Sequence, residues 1–132
     1  MSPMRSFTLH QIRGSFGIVQ LSADSSVPHW ALDPCPFSAV VRTEHELTIV
    51  FPLDRLPADL RGGRSWACLR VEGPFDFSEI GVLASLAAPL AEASVSIFAV
   101  STYDTDYLLV QGSQLTAARS ALEATGHRVE LL

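Results

Sequence analysis

The run Ser101-Thr102-Tyr103-Asp104-Thr105-Asp106-Tyr107 is the densest cluster of hydroxyls and carboxylates in this 132-residue chain. Such groups receive an ammonium and orient a small polar ligand, the acids by charge and the hydroxyls as donor and acceptor at once. The same residue types also hold ordinary turns, because Asp and Thr side chains bond their own backbone. Spacing alone leaves both readings open. A further acid, Glu79, stands three residues after Asp76 in a capping-box-like pattern. At a helix start it serves either as a cap or beside backbone N–H groups that hold a ligand's carboxylate.

The other reactive side chains are dispersed. His10, His29, His45 and His127 show no HxH, HxxxH or HExxH spacing, so no metal site is read from them. Neither a GxSxG elbow nor a GxGxxG loop occurs. All nine cations are arginine, and without lysine the chain cannot run Schiff-base, pyridoxal or Walker-type phosphate chemistry. With no asparagine it offers no N-glycosylation site. Cys35 and Cys68 form no CxxC pair and read as free thiols of a reducing compartment. A small enzyme using Cys68 or Asp106 would need a base beside it, and no pairing is visible. We therefore expect no catalytic residue, no metal and no cofactor.

Composition indicates a compact folded chain. The chain is 48% hydrophobic with a net charge of −5, which gives it core material and no pull on nucleic acid. No stretch approaches the ~20 apolar residues of a membrane span. The opening MSPMRSFTLHQIRG lacks the apolar run of a signal peptide. The expectation is a cytoplasmic protein with no membrane partner.

The elements that must position the cluster are clearest in the second half. Trp66–Val71 is a short apolar run between Gly pairs and Gly73-Pro74, which suits a strand. Helical spacing of Ile80, Leu83, Ala87 and Leu90 predicts a helix over Phe77–Leu90, starting at the Asp76/Glu79 pattern. Val95–Thr102 and Asp106–Gln111 read as strands of a hairpin. Ser113 caps a helix with Leu115, Ala118 and Leu122 inward, Gly126 stops it, and His127–Leu132 closes as a strand. The order β-α-β-β-α-β is that of the α+β ferredoxin-like fold.

The first half is less regular. Phe7–Ile12 and Phe16–Leu21 are strand material interrupted by Gly14, and a helical turn fits near Val27–Leu32. Phe37–Arg42 and Glu46–Phe51 flank a turn, and Leu53–Leu60 suits a short helix weakened by Pro57. This is a worn β-α-β-β-α order, joined to the second half at Arg61–Arg64.

The segments Ser94–Val110, SVSIFAVSTYDTDYLLV, and Gly73–Ala93 resemble the ACT-domain family, in particular its CASTOR-type amino-acid sensors. The resemblance implies two ferredoxin-like ACT modules in tandem, a degenerate one over 1–61 and a complete one over 62–132. It implies an amino-acid ligand between ACT modules, and here a homodimer to supply both sides. On these residues the ligand carboxylate falls to main-chain groups of Ser96 and Ile97. The acid near the helix start falls on Glu79, and the hairpin groups on Thr102, Tyr103 and Asp106. The runner-up reading is a homodimeric protein-interaction adaptor that no longer binds ligand.

Overall fold

Alternating apolar residues form strands wherever one face can be buried. In the computed structural model, which describes residues 5–75 and 80–132, the strands are β1 (Thr8–Leu21), β2 (Ala39–Arg42), β3 (Leu47–Pro52), β4 (Trp66–Val71), β5 (Ile97–Ser101), β6 (Asp106–Gln111) and β7 (Arg128–Glu130). Two helices accompany them, α1 (Val82–Glu92) and α2 (Leu115–Ala124). The chain divides into two compact units. One is Arg13–Trp66; the other joins the residues up to Ile12 with Ala67–Leu132.

The unit containing the hydroxyl-acid run has the expected order β4-α1-β5-β6-α2-β7. It is α+β, with β5 and β6 antiparallel from Ile97 opposite Val110 to Ser101 opposite Asp106. Every second residue of β4 (Ala67, Leu69, Val71) joins one core, as do Leu108 and Val110 of β6. The helices add Val82, Leu86 and Leu90, and Ala118 and Leu122, at helical spacing. Each fully buried leucine in this core contributes about 2 kcal/mol.

Three expectations fail here for local reasons. α1 begins at Val82 rather than at the Asp76/Glu79 pattern, which lies outside the described residues. Gly81 precedes the helix with φ 80°, a left-handed conformation that interrupts any helical path from further upstream. The inward row is consequently Val82, Leu86, Pro89 and Leu90, while Ile80, expected inside, is 86% exposed. Ser113 lies in a 3-10 turn over Gly112–Gln114 and does not cap α2, whose N-cap is Gln114.

The sheet of this unit has the order β7-β1-β4-β6-β5. In the simple split βαβ pattern the last strand lies beside the first, whereas here the start of β1 stands between β7 and β4. Thr8, Leu9 and His10 pair in parallel with Arg128, Val129 and Glu130. The Glu72 N–H donates to Thr8 O at 2.8 Å, and the Phe7 N–H to Nδ1 of buried His127 at 3.1 Å. These bonds place the first residues with the second half of the chain, not with the first.

In the unit Arg13–Trp66 the order is β2-β3-β1, antiparallel throughout. Gly14, expected to separate two strands, lies inside one fourteen-residue strand, its φ of 89° accommodated because glycine has no Cβ. Val19, Ile49, Phe51 and Leu56 build its core. The helix expected over Leu53–Leu60 is two 3-10 turns, Leu53–Arg55 and Ala58–Leu60. Pro57 drives Leu56 to extended backbone (ψ 144°) and so splits the segment.

Candidate functional site

Ser101 and Asp106 form the last cross-strand pair of the β5–β6 hairpin, and the turn between them is closed by its own side chains. Thr102 N–H donates to Thr105 O at 2.8 Å, and the Thr102 hydroxyl donates to the same oxygen at 3.0 Å. The buried Thr105 hydroxyl donates to Val71 O at 2.7 Å, and Phe75 N–H donates to Asp104 O at 2.8 Å. The hairpin is thereby pinned to the segment after β4. A Cβ at Gly73 would lie 3.2 Å from Asp104 O and 3.2 Å from Thr105 Cβ, so a larger residue there would press the hairpin outward by a few tenths of an ångström.

Between the pinned hairpin and the start of α1 lies a cavity of about 320 Å³. Ser101 through Asp106 form its polar wall, and Phe75, Val82 and Leu83 its apolar one. Asp106 accepts the Ser101 hydroxyl on Oδ1 at 2.5 Å. Among the described residues no cation pairs with Asp104 or Asp106. The cavity is therefore acidic, sized for a small ligand, and matched to an ammonium or guanidinium.

The structure brings Thr102, Tyr103 and Asp106 together on this wall. Ile97 opens β5 at its opposite end, four residues or about 13 Å from Ser101, and Ser96 immediately precedes it. One chain does not unite them with the hairpin. Glu79 lies outside the described residues. Thr102 and Thr105 carry the turn that their residue types allowed, while the Asp106 carboxylate faces the cavity. Phe75, Val82 and Leu83 were not anticipated as wall residues; Gly73-Pro74 marked a turn before Phe75, and nothing local marked the other two.

Cys68 is unfit as a nucleophile: it is fully buried, and burial pushes its thiol up to about 12. Cys35 is also a free thiol, donating to Phe37 O at 3.2 Å. No helix among the described residues is long and apolar enough to cross a membrane.

Comparison with known proteins matches this architecture to a class. A family model described as ACT domain covers residues 61–124, and a second, described as an N-terminal domain, covers residues 14–59. Residues 61–124 of the chain are thus an ACT domain. The Cytosolic arginine sensor for mTORC1 subunit 1 of Rattus norvegicus is 31% identical over 96 residues, which is 67% of this chain and 29% of that protein. Its Homo sapiens counterpart is 38% identical over 61 residues, 42% of this chain and 18% of that protein. The chain thus spans less than a third of the length of these curated relatives. Among solved structures, Protein Atu0741 from Agrobacterium tumefaciens superposes with a TM-score of 0.89 at 39% identity, covering 98% of this chain and 96% of that one. VC0802 from Vibrio cholerae, described as a protein of unknown function and possible transport protein, shares the fold with a TM-score of 0.72 at 20% identity over 91% and 90% of the two chains.

Proposed function

We propose that this chain is a non-enzymatic regulatory module that binds an amino acid where two copies of the chain meet. The observation that carries the proposal is the acidic cavity beside the β5–β6 hairpin of an ACT domain, with Asp106 free of any described cation. Relatives named as arginine sensors support the ligand class. Asp106, with Glu79, balances the ligand's cationic end, and Thr102 and Tyr103 shape the wall around it.

The carboxylate end belongs to main-chain groups of Ser96 and Ile97. β5 ends its sheet order, so its outer side is available to a second strand. Two β5 strands pairing antiparallel across a two-fold axis carry one copy's Ser96–Ile97 to the other copy's hairpin. Binding then bridges the copies and strengthens their pairing. In the same reading the expected division at 61/62 shifts: Arg13–Trp66 is the worn ACT-like module, and Ala67–Leu132 with the residues up to Ile12 the complete one. The free thiols Cys35 and Cys68 suit the cytoplasm.

A thermal-shift screen against the twenty amino acids, followed by calorimetry, tests this. An amino acid at 100 times its dissociation constant adds about 2.7 kcal/mol, a rise of several degrees. Asp106→Asn cuts that rise to about half or less without lowering the ligand-free midpoint. A flat screen on a folded dimer overturns the reading in favour of the adaptor.

A further inference from the structure

The unit Arg13–Trp66 has concavities of its own, far in chemistry from the acidic one. One of about 540 Å³ is lined by Gly14, Ser15, Asp54 and Arg61; an adjoining one of about 290 Å³ is lined by Arg13, Gly14, Asp54 and Arg55. Gly14 and Asp54 belong to both walls. Three guanidiniums stand against Asp54 and against Asp33, whose Oδ2 lies 4.0 Å from Arg55 Nη2, which leaves this spot a local charge of +1 in a chain of net charge −5.

Two of the three guanidiniums are held in place. Arg55 donates from Nη1 to Pro34 O at 3.1 Å and lies 5.1 Å over the Phe51 ring. Arg61 donates from Nε to Leu56 O at 2.9 Å and from Nη2 to Asp54 O at 3.3 Å, which leaves Nη1 over. Arg13 and the Asp54 carboxylate make no hydrogen bond or ion pair among the described residues, although they line the same concavity. Guanidiniums fixed by main-chain carbonyls have their ordering cost met before any ligand arrives, and their planar forks match an oxyanion. Gly14 presents backbone without a side chain, and a Cβ there would meet nothing within 4 Å.

We infer that this face of the Arg13–Trp66 unit is a second ligand site, taking a small metabolite with a carboxylate or phosphate oxyanion. Arg13 and Arg61 bind the oxyanion, Arg55, held by Asp33, Pro34 O and the Phe51 ring, forms the wall beside them, and Asp54 accepts from an ammonium or hydroxyl on the same ligand. The site is independent of the amino-acid site at the hairpin and takes the opposite charge at its centre.

The test is a pair of titrations of isotopically labelled full chain, followed by backbone amide shifts, one with inorganic phosphate and one with glutamate. Saturable shifts at Gly14, Ser15 and Gly62 are expected, whatever happens at Thr102 and Tyr103, so this site and the hairpin site fail separately. Arg13→Gln and Arg61→Gln each weaken the bound oxyanion about tenfold. Asp54→Asn weakens glutamate alone if the source is a zwitterionic carboxylate, and leaves phosphate as tight or tighter. Saturation by phosphate only identifies a phosphorylated ligand; saturation by glutamate only identifies a carboxylate. Shifts that grow without saturating for both probes, or that are unchanged in both arginine variants with native spectra, overturn the inference.

Discussion

Ser101 donates its hydroxyl to Asp106 Oδ1 at 2.5 Å across the final pair of the β5–β6 hairpin. The carboxylate is thus oriented by its own strand partner before any ligand is present, with its second oxygen left for one. Positioning of this kind reduces the ordering cost of binding.

Removing the carboxylate and removing its orienter should differ in degree. Asp106→Asn is expected to weaken amino-acid affinity by one to two powers of ten, about 1.5–3 kcal/mol for a lost charged hydrogen bond. Ser101→Ala should weaken it by a smaller factor. Calorimetry on both variants checks the ranking, and an inverted order would place the ligand's contact on the serine.

Thr105→Val keeps the side-chain shape and deletes the bond to Val71 O. The buried carbonyl loses its side-chain donor, so stability should fall by about 1 kcal/mol. Gly73→Ala, pressing on the same hairpin at 3.2 Å, should also reduce affinity because it displaces the wall that holds Asp106. Urea unfolding and calorimetry separate the two effects.

Pairing through β5 predicts a charge sensitivity at its centre. Ala99 is the middle residue of the strand and is exposed. Arginine there sets like charges together at the two-fold, which disfavours the pair. Sedimentation should show Ala99→Arg shifted toward monomer, with ligand affinity falling in step.

Cys68 gives a pH signature. Folding raises its thiol from 9.0 to about 12, so above the lower value the unfolded chain releases a proton that the folded chain keeps. This contribution is fully present below pH 9 and is lost as pH rises from 9 toward 12, at about 1.4 kcal/mol per pH unit. Denaturation midpoints across that range, compared with Cys68→Ala, measure it.

The N-cap of α1 is Gly81, and in the proposed site Glu79 balances the ligand's cationic end. Glu79→Gln should therefore leave the ligand-free melting midpoint unchanged while weakening the amino acid. A lowered midpoint with unchanged affinity would make Glu79 structural.

What the residues revealed in advance was local. Strand β6 runs over Asp106–Gln111 as its apolar pattern indicated, and α2 buries Ala118 and Leu122 because that row needs only helical spacing. The acidic wall was legible for the same reason, being one continuous stretch of sequence. What escaped depended on distant partners. Nothing near Phe75 or Leu83 announces that a bond from Phe75 N–H to Asp104 O will fold them over the hairpin. The left-handed Gly81, which moved α1 downstream, is one of eight glycines, and nothing in its neighbours singles it out. The split of Leu53–Leu60 was a local matter, fixed by the rule that a residue before proline leaves the helical region.

Strand β1 gives its opening residues to a sheet otherwise made from the far end of the chain. During synthesis those residues precede their parallel partners Arg128–Glu130 by more than a hundred residues, so one side of the strand stays open until the last strand is made. The half that carries the acidic cavity therefore cannot be excised as one contiguous fragment: a truncation starting at Gly62 would lack an interior strand and expose the edges on either side of the gap. A rearranged gene that moves Arg5–Ile12 behind Leu132 through a short linker would instead make that half self-sufficient.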